Sequence, residues 1–198
     1  MFTEAEIAVI IENQEIEKIT ENLRKNFLEK TAPYFEISNH DFLSLILLSP
    51  VVGKAMANNN ISFKEEMSLQ KKARKLSKGG FFLSKDPVAD CMKFLIKKFD
   101  QWEDEFYAAI KMIFQVLFEK ETIDKANDTS VSYEIRVMRA PYILVRFISS
   151  LFLEREEDIL NPGKLRKIEW EKIKVIGEKT GLSELTLFNE FTEAFEVK

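Results

Sequence analysis

The chain has one histidine, His40, and one cysteine, Cys91. That pair sets the limits of its chemistry. A metal centre opened by His40-Asp41 would need further imidazoles, and none exists. Di-iron bundles need Glu-x-x-His, which is absent. A Cys91–His40 dyad would depend on tertiary juxtaposition alone. Cys91 flanks the apolar stripe of a long helical segment, so its type and place predict a small buried thiol. His40 is expected near the start of a helix, exposed or bonded locally. Phosphate-binding glycine patterns are missing too. Gly53-Lys54 would end a P-loop, but the upstream glycine position is Leu48 and the next residue is Ala55. No G-x-G-x-x-G or G-x-S-x-G occurs.

Acidic side chains are the remaining chemical resource. Asp86/Asp90, Asp100/Asp104 with Glu103 between, and Glu154/Glu157 beside Asp158 each put carboxylates on one helix face, where two could share Mg²⁺. With 33 Asp and Glu in 198 residues, such pairs arise by chance, and solvated faces explain them. An Mg²⁺-dependent all-α enzyme therefore ranks third among the functional expectations. The sequence leans away from an enzyme and implies no catalytic residue, metal site or cofactor.

Two cationic groupings carry more. The first is Lys71, Lys72, Arg74, Lys75 and Lys78, followed by Gly79-Gly80-Phe81-Phe82. Lysines near a helix end, then a turn with two aromatics, suit an anionic partner. They equally suit a dipole-complementing helix terminus with a glycine cap. The chain is net −4, yet residues 61–98 are net +6, and residues 99–161 net −6. The second grouping is Arg136, Arg139 and Arg146, spaced to share one flank of a helix. They could hold an anionic headgroup in a pocket lined by some of the 17 Phe, or pair internally with acids such as Glu103 or Glu105.

A third constellation lies near the end, at 172–191: Ile176-Gly177-Glu178-Lys179-Thr180-Gly181-Leu182-Ser183, continuing through Leu187 and Phe191. It resembles the helix-turn-helix of bacterial regulators of the TetR-like kind. Gly177 takes the close approach, Gly181 the turn, Leu182 the plug and Ser183 the cap. The resemblance implies DNA binding. The would-be reading helix, 184–196, carries four Glu and no Lys or Arg, which phosphates repel. A nucleic-acid-binding regulator is therefore the alternative reading.

Elements must hold these groups in place, and the sequence writes them as helices. Six Gly and five Pro leave few turns. Apolar residues recur every three or four positions, and no alternating strand pattern appears. About seven helices are expected. The first opens at the Thr3/Glu6 capping box and ends before Pro33. The second opens at Ser38 or Asn39, with Pro50 splitting it and Ser49 capping the second piece. The third starts at Ser62, capped with Glu65, and ends before Gly79-Gly80. The fourth, near 87–121, is capped by Asp86 and is the long central helix. The fifth covers 130–157 with a kink at Pro141, the sixth follows Pro162, and the seventh starts at Ser183.

The expected fold is thus an all-α helical bundle in one domain, 1–198, with a subdivision available near 79–85 (1–78 and 86–198). The longest apolar run, Phe42 to Val52, contains Pro50 and is too short to span a bilayer. It reads as a buried helix. A single Cys points to a reducing compartment, so a cytoplasmic protein is expected. The leading functional expectation is a non-enzymatic interaction or regulatory module. A protein partner is favoured, a homo-oligomer is allowed, and nucleic acid is not favoured.

Overall fold

The computed structural model describes residues 2–58, 61–78, 86–153 and 159–198. Within them the chain forms eleven α-helices: α1 (Glu4–Ile11), α2 (Gln14–Thr31), α3 (Asn39–Ala55), α4 (Phe63–Leu76), α5 (Pro87–Lys97), α6 (Phe99–Leu117), α7 (Lys120–Ala126), α8 (Tyr133–Arg139), α9 (Tyr142–Phe152), α10 (Lys167–Thr180) and α11 (Thr186–Glu193). The all-α class holds, and the count of about seven is corrected upward. No helix of the described residues is long and apolar enough to cross a membrane.

The extra helices come from breaks that periodicity does not reveal. Asn13 takes an extended conformation and its side chain accepts the Glu15 and Ile16 N–H groups, so the first segment stops and restarts as α1 and α2. Ala140, before Pro141, is extended at ψ 144°, which separates α8 from α9 instead of kinking one helix. The stretch 87–121 breaks at Lys98 (φ −123°), with no proline, glycine or capping side chain to announce it. Leu95, Phe99, Trp102 and Phe106 keep their three- and four-residue steps straight across that break and are all buried.

The long central helix expected there is therefore not continuous, and the centre belongs to α3. Every residue of α3 from His40 to Ala55 is buried. It packs against α1, α2, α4, α5, α6, α9 and α10. A helix apolar all round has no solvent face to offer, so its neighbours surround it. Pro50 does not split α3. Proline has no N–H for the Ile46 carbonyl four residues back; the Ser49 hydroxyl donates to that carbonyl instead, at 2.7 Å. Ser49 thus mends the helix where it was expected to start a new one.

Phenylalanine builds the core around α3. Phe27 of α2, Phe42 of α3, and Trp102 and Phe106 of α6 meet with ring centroids 5.0 to 5.8 Å apart. Phe2, Phe114, Phe118 and Phe147 form a second group. Phe152, Phe188, Phe191 and Phe195 form a third. Within each group the rings pack edge-on or tilted against one another. The C-terminus is held by a two-residue parallel ladder, β1 (Lys164–Leu165) with β2 (Glu196–Val197). Strands of two residues leave no alternation in the sequence.

Candidate functional site

Among the described residues, helix α4 carries a row of cations without ion pairs. Its N-terminus is fixed by a capping box in which Ser62 and Glu65 exchange hydrogen bonds. Steps of 100° per residue place Leu69, Ala73 and Leu76 on the core side, and all three are buried. The same steps gather Phe63, Lys64, Met67, Ser68, Lys71, Arg74 and Lys75 on the opposite side, Lys78 follows just past the extended Ser77 that ends the helix, and all are exposed. Phe63 is 80% exposed and Met67 50%. Among the described residues none of the five cationic side chains makes an ion pair. Lys64, Met67, Ser68, Gln70, Lys71 and Arg74 line a shallow groove of about 480 Å³ on this face.

The structure sorts the first cationic grouping. Lys71, Arg74 and Lys75 share the outer face, and Lys78 is exposed just past the helix end. Lys72 does not belong with them: it is 6% exposed, and its Nζ donates to the Leu153 carbonyl at 3.3 Å. Lys54 does the same to the Phe152 carbonyl at 3.2 Å. Both ammonium groups sit at the C-terminal end of α9, where unpaired carbonyls favour positive charge. Phe81 and Phe82, with the rest of 79–85, lie outside the described residues. Phe63, Lys64 and Met67 were not among the residues expected from sequence. Lys64 falls inside the same basic segment, and the 100° step from Lys71 back to Lys64 was the signal that could have found them.

The second cationic grouping is dispersed. The extended Ala140 breaks the helical register between Arg139 and Arg146, so the three arginines share no flank. Arg136, 2% exposed, donates Nε to the Asp128 carbonyl and Nη2 to the Val131 carbonyl, each at 2.8 Å, and Nη1 to the Glu190 carboxylate of α11. Arg139 is exposed. Arg146 Nε lies 3.4 Å from Glu6 Oε1 of α1. The internal partners are Glu190 and Glu6, not Glu103 or Glu105. Arg136 is thus a joint between α8 and α11. We expect Arg136→Leu to cost about 3 kcal/mol, because it strands Glu190 and two carbonyls. Urea unfolding of the variant checks this, and a loss below about 1 kcal/mol would show the joint to be dispensable.

Acidic groups are mostly engaged. Glu103 takes Lys172 at 2.9 Å and Lys179 at 3.0 Å, tying α6 to α10. Burial alone would raise its carboxyl, but the two ammonium groups hold it below the ordinary value. Asp86 caps α5 and also accepts the Ser77 hydroxyl at 2.7 Å. Asp104 pairs with Lys179 and Asp90 with Lys93. Glu154, Glu157 and Asp158 lie outside the described residues. Among the described residues no three His, Cys, Asp or Glu side chains are grouped to hold a metal ion.

His40 is buried, and of the two expected settings it takes the local bond. Nδ1 lies 3.2 Å from Asp41 Oδ1, and Nε2 lies 3.3 Å from the Glu4 carbonyl. Asp41 also accepts the Lys78 N–H at 2.8 Å, which pins the end of α4 to the start of α3. Cys91 is fully buried, and burial pushes its thiol up to about 12, so it stays a neutral packing group.

A second cleft, about 410 Å³, opens between α3, α4 and α10 over Val51, Ala55 and Leu69. Arg166 closes its rim, 3.5 Å from Glu65 and 3.0 Å from Glu169. Burial would raise the Glu169 carboxyl. Hydrogen bonds from Arg166, side chain and backbone, and nearby Lys54 hold it low instead. Arg166, Glu65 and Glu169 are thus paired with each other, while Lys64 on the same lining makes no ion pair among the described residues.

The C-terminal pair keeps the expected glycine turn, but Ser183 does not cap the last helix: it lies within a 3₁₀ turn, and α11 starts at Thr186 after Leu185, which supplies no capping side chain. Gly181 turns at φ +77° between α10 and a single 3₁₀ turn, Leu182–Glu184, that leads into α11. A Cβ at Gly177 would come within 2.3 Å of the Phe188 ring. The α11 residues left exposed are Asn189 and Glu193. Compared with protein-family models, with curated proteins and with solved structures, the chain matches none.

Proposed function

We propose that the protein is a non-enzymatic interaction module of the cytoplasm, and that the outer face of α4 is where it receives an anionic partner, a protein. The observation that carries this reading is the row Lys64, Lys71, Arg74 and Lys75 on α4, with Lys78 just beyond its end, without ion pairs among the described residues, on a chain that is net −4. Like charges on one helix repel and weaken it. A partner's carboxylates relieve that repulsion. Negative charge elsewhere on the protein turns this one face toward an anionic surface and steers the approach. Other cations nearer the core are engaged: Lys172, Lys179 and Arg136 with carboxylates, Lys54 and Lys72 with carbonyls.

The test is charge reversal. Lys71→Glu, Arg74→Glu and Lys75→Glu together should abolish retention on immobilised poly-L-glutamate at low salt. The far-UV circular dichroism and melting temperature should stay close to wild type, since exposed charges contribute little to stability. Retention unchanged by the triple reversal would overturn the reading.

A further inference from the structure

The groove on α4 points to a narrower partner than any polyanion. Resting on the cationic-face reading above, we infer that the partner is an acidic amphipathic helical segment whose apolar side chain seats on Met67, with Phe63 beside it and Lys64, Lys71 and Arg74 around it. Phe63 and Met67 are one turn apart on the same exposed face. A purely electrostatic ligand would leave both in water. An apolar side chain placed between them is buried by them, and the cations then close over it as a charged rim.

Spacing supports a helix as the complement. Within α4, Lys64, Lys71 and Lys75 follow at steps of seven and four, which keeps them on one helix face. Carboxylates at matching steps on an opposing helix would meet them in register. Helix α4 has 14 residues and so spans about 21 Å, enough for about four turns of a partner.

Two other occupants fit less well. A helix that lies in a bilayer interface turns its apolar face to the lipid. That of α4, Leu69, Ala73 and Leu76, is turned into the core, leaving two side chains to insert. Nucleic acid would use the cations but leave the Met67 groove without an apolar occupant.

The experiment measures binding of the full chain to two labelled synthetic peptides by fluorescence anisotropy. Both are acidic, of equal charge and about 18 residues, past the length at which isolated helices become marginal. One carries two leucines a turn apart, and the other carries serines there. The leucine peptide should bind about fivefold tighter, the increment expected from burying part of one Met side chain. Met67→Ser should erase that difference while keeping the helix signal. The Lys71→Glu, Arg74→Glu, Lys75→Glu variant should lose both peptides. Equal affinity for the two peptides, or a preference that survives Met67→Ser, overturns the anchored-helix inference and leaves the cationic-face reading standing. Tighter binding to random duplex DNA or to phosphatidylserine vesicles than to the leucine peptide also overturns the inference. Peptide binding untouched by the triple reversal overturns the reading beneath it.

Discussion

A chain that stops after Leu182 will not fold. Residues 183–198 bring Leu185, Leu187, Phe188, Phe191 and Phe195 into the core, all of them buried. At about 1.5–3 kcal/mol for each fully buried large apolar side chain, their loss removes about 8–15 kcal/mol. Natural domains have about 5–15 kcal/mol in all. The deletion also takes away the Thr192 carbonyl that accepts the Trp170 indole N–H at 2.8 Å, the Glu190 partner of Arg136, and the strand that pairs with Lys164–Leu165. We expect no cooperative thermal transition and exposed apolar surface that binds a hydrophobic dye. A sharp melt by the truncated chain would mean that α11 is an appendage free for other work, and would favour the DNA-reading alternative. The packing of Phe188 over Gly177 argues that α11 is instead a structural closure.

Phe27→Ala should cost about 3–5 kcal/mol, the range for removing a fully buried aromatic. Phe27 is fully buried, and its ring meets those of Phe42 at 5.8 Å, Trp102 at 5.0 Å and Phe106 at 5.5 Å. It is the point where α2, α3 and α6 join. The three facing rings come from rigid helices and cannot all collapse into the space, so the cavity persists. The check is a urea midpoint that falls while the slope of the transition stays constant. Phe27→Leu, which keeps most of the volume, should lose less. A loss below about 1 kcal/mol for the alanine variant would mean that the core repacks freely.

Much of the helical frame was legible in the sequence because its signals act over three or four residues. Thr3 with Glu6, Ser62 with Glu65, Ser38, and Asp86 ahead of Pro87 all cap the helices they were expected to cap. Gly181 ends α10 in the left-handed conformation its sequence implied. Phe42 to Val52, apolar on every side, could only be buried. The outward cations of α4 were also readable, since a helix with leucines at 69 and 76 must turn Lys71, Arg74 and Lys75 away from the core.

Other features were decided at a distance. Lys72 and Lys71 are adjacent and alike as residues; which one is buried depends on where the end of α9 arrives, and Lys72 meets the Leu153 carbonyl across 81 positions of chain. Arg136 takes Glu190 from 54 positions away, where sequence spacing had suggested acids on another helix. The break at Lys98 relieves no local conflict that a cap or proline would mark, and it appears only once α5 and α6 must both lie against α3. Local free energies of capping and periodicity are fixed by near neighbours and so are written in the order of residues. The choice of partner for a charge, and of the helix that occupies the centre, depends on how the whole set of apolar faces can be buried at once, which only the tertiary packing settles.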